Sequence, residues 1–210
     1  MLLSAISLSP RQLTWIKRLC FLLGLCPLLI LLNAAWQNQL GPNPIERITH
    51  RTGYWTLTFL LITLAVTPLR RLTGWLWLTR LRRMLGLFGF FYVCLHFSTY
   101  LVLDQFFDWP AISADILKRP YITIGFAAFL LMIPLAITST QAMMAKLGGK
   151  RWRRLHSLIY IIAIAGVVHF IWLVKKDLSK PLTFAAWLAV LLLIRIIYWI
   201  SDRNRRKRAR

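Results

Sequence analysis

Six apolar runs of spanning length leave this chain of 210 residues few ways to fold. A helix needs about 20 consecutive, mostly apolar residues to cross a bilayer. Such runs lie at about 19–36, 54–69, 84–103, 121–138, 155–174 and 181–200, the second beginning a little earlier, near Thr52. The chain is 58% hydrophobic, with 10 Trp and 12 Phe, more apolar surface than one soluble core of this length can hide. The expected fold class is therefore all-α: a polytopic membrane protein, a six-transmembrane-helix bundle occupying residues 1–210 as one domain. Pro27 and Pro134 should kink the first and fourth helices. Stretch 37–53, rich in Gly and Pro, should turn sharply, and stretch 104–120 should hold a short interfacial helix.

The net charge of +21 has two usual sources, nucleic-acid binding or basic cytoplasmic loops. The positions of the cations favour loops. Three precede the first run, five lie in 70–83, five in 139–154, and seven run from Arg195 to Arg210, making 20 on one side against seven on the other. Five of the six acids (Glu46, Asp104, Asp108, Asp115 and Asp177) fall on the cation-poor side. By the positive-inside rule both termini are cytoplasmic, and the excess charge reflects topology and attraction to anionic membrane lipid. No nucleic acid is expected as a partner. The first run exceeds the 7–15 residues of a signal-peptide core and reads as a span. Arg195, five residues inside the sixth run, is expected to snorkel to the headgroups. Cys20, Cys26 and Cys94 lie in apolar runs, odd in number, and suggest packing rather than a disulfide framework.

No GxGxxG or Walker-type loop is present, so the chemistry is expected inside the bundle or through partners. The four histidines are the remaining signal. His96 lies thirteen residues beyond Arg83 on the third span, and His169 thirteen beyond His156 on the fifth. At 1.5 Å per residue each separation is roughly 20 Å along the axis. Both spans run outward, so His96 and His169 should face each other at one depth in the outer half of the bilayer. Paired imidazoles at matched depth suit a planar metal cofactor with axial ligands, as in haem. Gly86, Gly89 and Gly166, with Ala163 and Ala165, would let a porphyrin face or a helix come close. A lone histidine in a membrane also serves as a helix–helix hydrogen-bond donor, so on spacing alone both readings stand. His156 sits at the basic interface, where Arg82 and Arg83 share its height and suit haem propionates better than iron. His50, in an outer loop, is the weakest ligand.

The motifs "GPNPIERITHRTG" at 41–53, "VTPLRR" at 66–71, "RLRRMLGL" at 80–87, "LHFSTY" at 95–100, "KRPYITIG" at 118–125, "AITSTQAM" at 136–143, "RRLHSLIY" at 153–160 and "HFIWLVK" at 169–175 follow in order along nearly the whole chain. Together they resemble the MsrQ (YedZ) family, haem-binding membrane subunits of a periplasmic methionine sulfoxide reductase system. The resemblance implies membership of the ferric-reductase-like transmembrane superfamily, whose members carry electrons across a bilayer through haem b. It also implies haem assignments for His96, His156 and His169, at one haem or two. A second haem is put in doubt because the third helix offers one histidine where NADPH oxidases offer two.

By the same resemblance the electrons come from quinol, FMN is a further cofactor without a local motif, and the partner is the periplasmic molybdoenzyme MsrP in a heterodimer. A cytosolic flavin reductase is the alternative donor, and the inner membrane the expected location. The chain itself would be a non-catalytic electron-transfer subunit, oxidising quinol at most. A rival from another class is a transporter in which intramembrane histidines relay protons without haem.

Overall fold

The computed structural model describes residues 8–208, and among these there are helices and turns but no strand. Six helical stretches are long and apolar enough to cross a membrane, one for each expected run. Helix α1 spans Pro10–Trp36 and α2 spans Pro44–Thr73. After a 3-10 turn at Leu76–Arg80, α3 covers Arg82–Ser98 and passes into a π-helical segment, Thr99–Asp104. The short helix expected in the 104–120 stretch is α4, Trp109–Lys118. Then come α5 at Pro120–Ile137, α6 at Gln141–His156, α7 at Ile159–Leu173 and α8 at Ser179–Arg208.

Local chemistry sets these boundaries. Ser9 and Gln12 form a capping box at the start of α1. The Gly/Pro-rich stretch turns earlier than expected. Asn43 caps α2 through its side chain and Pro44 takes the first helical position, where its missing N–H costs nothing. Helix α2 thus begins ten residues before the apolar run at 54, carrying "IERITHRTG" into the helix. Gly74 ends it at φ 75°, the left-handed cap that glycine adopts without strain. The 139–154 stretch is also helical rather than a loop, broken only at Gly148, whose φ of 73° and ψ of 149° lie outside helical space.

The core sits where α2, α3, α5, α7 and α8 meet, with Leu60, Leu64, Tyr92, Ile162 and Ala163 almost fully buried. Helix α2 supplies buried threonines to this apolar centre, and each solves its own polar problem. Thr52, Thr56 and Thr63 donate their hydroxyls to the carbonyls of Ile48, Thr52 and Phe59, four residues back. Helix α1 lies at the periphery. The Tyr92 hydroxyl bridges its Leu28 N–H at 3.2 Å and its Gly24 carbonyl at 2.8 Å, beside Pro27 in the same turn. A side chain inserted into the ladder next to a proline is a recognised origin of a helix bend.

Arg195 departs from its expected route to the headgroups. It turns inward, donating to the Tyr160 hydroxyl and, at 2.7 Å, to the Leu64 carbonyl, with its guanidinium 5.0 Å from the Tyr160 ring centroid. Two acceptors and an aromatic face on neighbouring helices compete successfully with the interface, and the side chain ties α8 to α2 and α7.

Candidate functional site

His96 and His169 come together. Their ring centroids lie 6.2 Å apart and their planes cross at 81°. His96 sits near the end of α3, three residues before that helix widens into its π segment, a feature frequent at functional sites. His169 sits in the last turns of α7.

Each ring is fixed in the same way by a different helix. His96 Nδ1 lies 2.9 Å from the Thr49 carbonyl on α2, and His169 Nδ1 lies 2.6 Å from the Tyr121 carbonyl on α5. A carbonyl only accepts, so Nδ1 carries the proton in both rings, and Nε2 keeps its lone pair. The hydrogen bond that fixes a histidine's tautomer through its second nitrogen is the usual companion of metal ligation. Four residues after each carbonyl stands a glycine packed on the same ring. A Cβ at Gly53 would come within 3.1 Å of His96, and one at Gly125 within 2.7 Å of His169. The pair Thr49 and Gly53 on α2 therefore repeats as Tyr121 and Gly125 on α5. The glycine lets the imidazole lie against the helix, and the carbonyl one turn earlier orients it. Gly166 serves a similar end on α7, where a Cβ would meet Leu57 at 2.8 Å.

Both rings line a cavity of about 260 Å3 between α2, α3, α5 and α7. An apolar cavity of 150 Å3 already accommodates benzene. Its inner wall is apolar, formed by residues such as Leu57, Leu60, Val93, Ala128, Met132 and Ile162. Phe97 and Phe129 stack at 4.8 Å beside His96, with Phe126 next to them. The other end is polar, with His50, Tyr100, Asp104, Arg119 and Tyr121.

The donor set decides what such a site can hold. Two imidazoles on opposite sides of one metal ion need bonds of about 2.0 Å each, and with roughly 1.1 Å from each nitrogen to its ring centroid the span is about 6.2 Å. The observed centroid spacing equals that span. No cluster of three or more His, Cys, Asp or Glu side chains suited to a metal exists among the described residues. His96 and His169 would hold a metal chelate with few other protein ligands, and the apolar lining of the cavity suits a planar organic one.

The remaining predicted residues lie elsewhere. His156, at the end of α6, is outside the lining of this cavity. Its Nε2 is 3.0 Å from the Thr138 hydroxyl and its ring stacks on Trp152 at 3.9 Å. Trp152 in turn donates to the Thr138 carbonyl at 2.9 Å. Arg82 lies within reach of the charges of His156 and Arg195, and Arg83 is exposed. His50 is half exposed at the polar end, 3.9 Å from Glu46. Sequence reasoning missed Thr49, Gly53, Tyr121, Gly125 and Arg119. A signal was present, since two of the quoted motifs end on Gly53 and Gly125, each following its carbonyl partner by four positions.

Comparisons with known proteins place the chain in a family. A family described as "Ferric reductase like transmembrane component" matches residues 51–167, a segment that includes His96, His156, Gly53, Tyr121 and Gly125 but begins after Thr49 and ends before His169. A protein of Herminiimonas arsenicoxydans named "Protein-methionine-sulfoxide reductase heme-binding subunit MsrQ" is 54% identical over 94% of this chain and 91% of its own length. Proteins with the same name from Azospira oryzae and Rhodospirillum rubrum are 56% and 58% identical, over 90% and 79% of this chain and 82% and 80% of theirs.

Proposed function

The chain belongs to the ferric reductase like transmembrane family and, within it, to the MsrQ proteins, and from that premise we propose that it is the haem-binding membrane subunit of a methionine sulfoxide reductase system. One observation carries the reading furthest: two imidazoles lining one cavity with ring centroids 6.2 Å apart, each with Nδ1 tied to a backbone carbonyl so that Nε2 keeps its lone pair. We assign His96 and His169 as the residues that would hold a haem b. When bound, haem supplies a one-electron iron couple. The chain supplies everything around it. The carbonyls of Thr49 and Tyr121 hold the Nδ1 protons and keep both rings in the ligating tautomer. Leu57, Leu60, Phe97, Phe129 and Met132 exclude water, and burial of this kind helps set the potential of a haem.

In the wider proposal both termini face the cytoplasm and the histidine pair lies near the periplasmic face of the inner membrane. Electrons come from the quinone pool or a cytosolic flavin reductase. They leave to the periplasmic molybdopterin subunit MsrP, which repairs methionine sulfoxide, a reversible lesion. His156 and Arg82 lie near one another toward the other end of the bundle, where a second haem would use them; FMN, implied by the family, has no motif that places it. The transporter reading lacks a path. Between His156 and His169, α7 offers only apolar residues, glycine and Tyr160, which Arg195 already engages.

Purified protein made with ample haem is expected to show a Soret band that shifts on reduction. A colourless preparation under the same conditions would favour the proton-relay alternative.

A further inference from the structure

The cavity has one polar end, and that end carries one fixed cation. Arg119 is the sole Lys or Arg among the residues described as lining it. It stands in the connection between α4 and α5, its side chain about half exposed, while the opposite end of the cavity is closed by Met132 and Ile162.

Its neighbours aim it. Arg119 Nε lies 3.2 Å from Asp115 Oδ1, one turn back on α4, and the Asp115 side chain is only 18% exposed. Tyr100 from the π segment donates to the other oxygen, Asp115 Oδ2, at 3.4 Å, and Gln105 approaches the same atom at 3.5 Å. Arg119 Nη1 reaches the Tyr121 hydroxyl at 3.5 Å. With Nε held by Asp115, most of the five donors of the guanidinium fork remain for another acceptor. A fork held through Nε presents its two terminal nitrogens together, the geometry that grips a carboxylate at both oxygens. Tyr121, whose carbonyl orients His169, joins this corner directly to the ligand pair.

Resting on the haem reading, we propose that Arg119 is the carboxylate anchor of the site, so that haem sits with its carboxylate edge toward the α4–α5 corner and its apolar edge toward Met132 and Ile162. An ionised carboxylate pushed into the apolar end would go unpaired, which is costly. Asp104 shares the polar end and repels a carboxylate, so the single cation decides where that edge rests. Asp115 and Tyr100 act through Arg119 as positioning residues. This differs from the expectation that Arg82 and Arg83 receive the propionates, because neither lines the cavity.

The test uses full-length apoprotein from haem-starved cells, titrated with haem and with haem dimethyl ester, whose carboxylates are blocked. Wild type is expected to bind the free acid about tenfold more tightly than the diester. Arg119→Gln should lose that preference while binding the diester as wild type does. Its haem midpoint potential should also fall, because removing a cation favours the ferric state. Equal wild-type affinities for the two ligands would overturn the proposal and leave the haem reading standing. Failure of wild type to bind either would overturn the haem reading itself. Should Arg119→Gln not fold, Arg119→Lys is read instead, since it keeps the charge but loses the fork. A reduced preference then supports the anchor, and an unchanged one refutes it.

Discussion

His169→Ala is expected to yield protein that inserts and accumulates normally but carries almost no haem at the paired site, and His96→Ala should do the same. Each removes one of the two nitrogens proposed to hold the iron. The loss should exceed the roughly 10–100-fold that follows when only a ligand's outer hydrogen-bond partner is removed. Neither ring contributes much else. Apart from the carbonyl bond at Nδ1 and a 3.5 Å approach of the Thr52 hydroxyl to His96, both histidines are engaged chiefly with the cavity. His156→Ala serves as the contrast. Its Nε2 is occupied by the Thr138 hydroxyl and its ring by Trp152, so the haem of the pair should survive that change. The readout is haem-to-protein ratio at matched expression. A His169→Ala protein with the wild-type ratio and spectrum would remove the ligand assignment.

Gly125→Ala should give a second large effect. In an ordinary helix interior alanine is favoured over glycine by about 1 kcal/mol, and here that gain partly offsets the cost of displacing the ring in the apoprotein. Haem binding should nonetheless fall by about 10–100-fold. The new Cβ would stand 2.7 Å from His169 Nδ1 and 3.0 Å from its Cε1. That ring cannot simply step aside, because Nδ1 is bonded at 2.6 Å to the Tyr121 carbonyl of the same helix. Moving the ring breaks the bond that sets its tautomer. Gly53→Ala places its Cβ 3.1 Å from His96, where a few tenths of an ångström relieve the contact. The account therefore predicts a graded pair, severe at Gly125 and mild at Gly53, measured by haem titration alongside thermal unfolding. Equal effects, or a severe effect at Gly53 alone, would contradict the cradle geometry.

The separation between what the sequence disclosed and what it withheld follows physical lines. Spans were legible because bilayer thickness turns hydropathy into length, and each expected run overlaps one of the six long apolar helical stretches. The meeting of His96 with His169 was legible because equal distances from basic helix ends imply equal depth. Helix ends were less so. The polar residues 44–53 and 141–154 carry no membrane signal, yet capping by Asn43 and Thr140 continues the helix through them. Arg195 was misplaced because depth alone does not say which face a side chain occupies. The carbonyls of Thr49 and Tyr121 were invisible, since every residue has one and only packing selects which is used. Gly53 and Gly125 stood in view, but their role depends on what lies across the groove.

The central claim is that one iron is held between His96 and His169, and low-temperature electron paramagnetic resonance of the oxidised wild-type protein tests it most directly. With ring planes 81° apart, the account predicts a low-spin ferric signal of the strongly anisotropic type that crossed imidazole planes produce, with a single dominant low-field feature. That signal should vanish in both His96→Ala and His169→Ala. A wild-type spectrum that is wholly high-spin, or a crossed-plane signal that persists without either histidine, would contradict it.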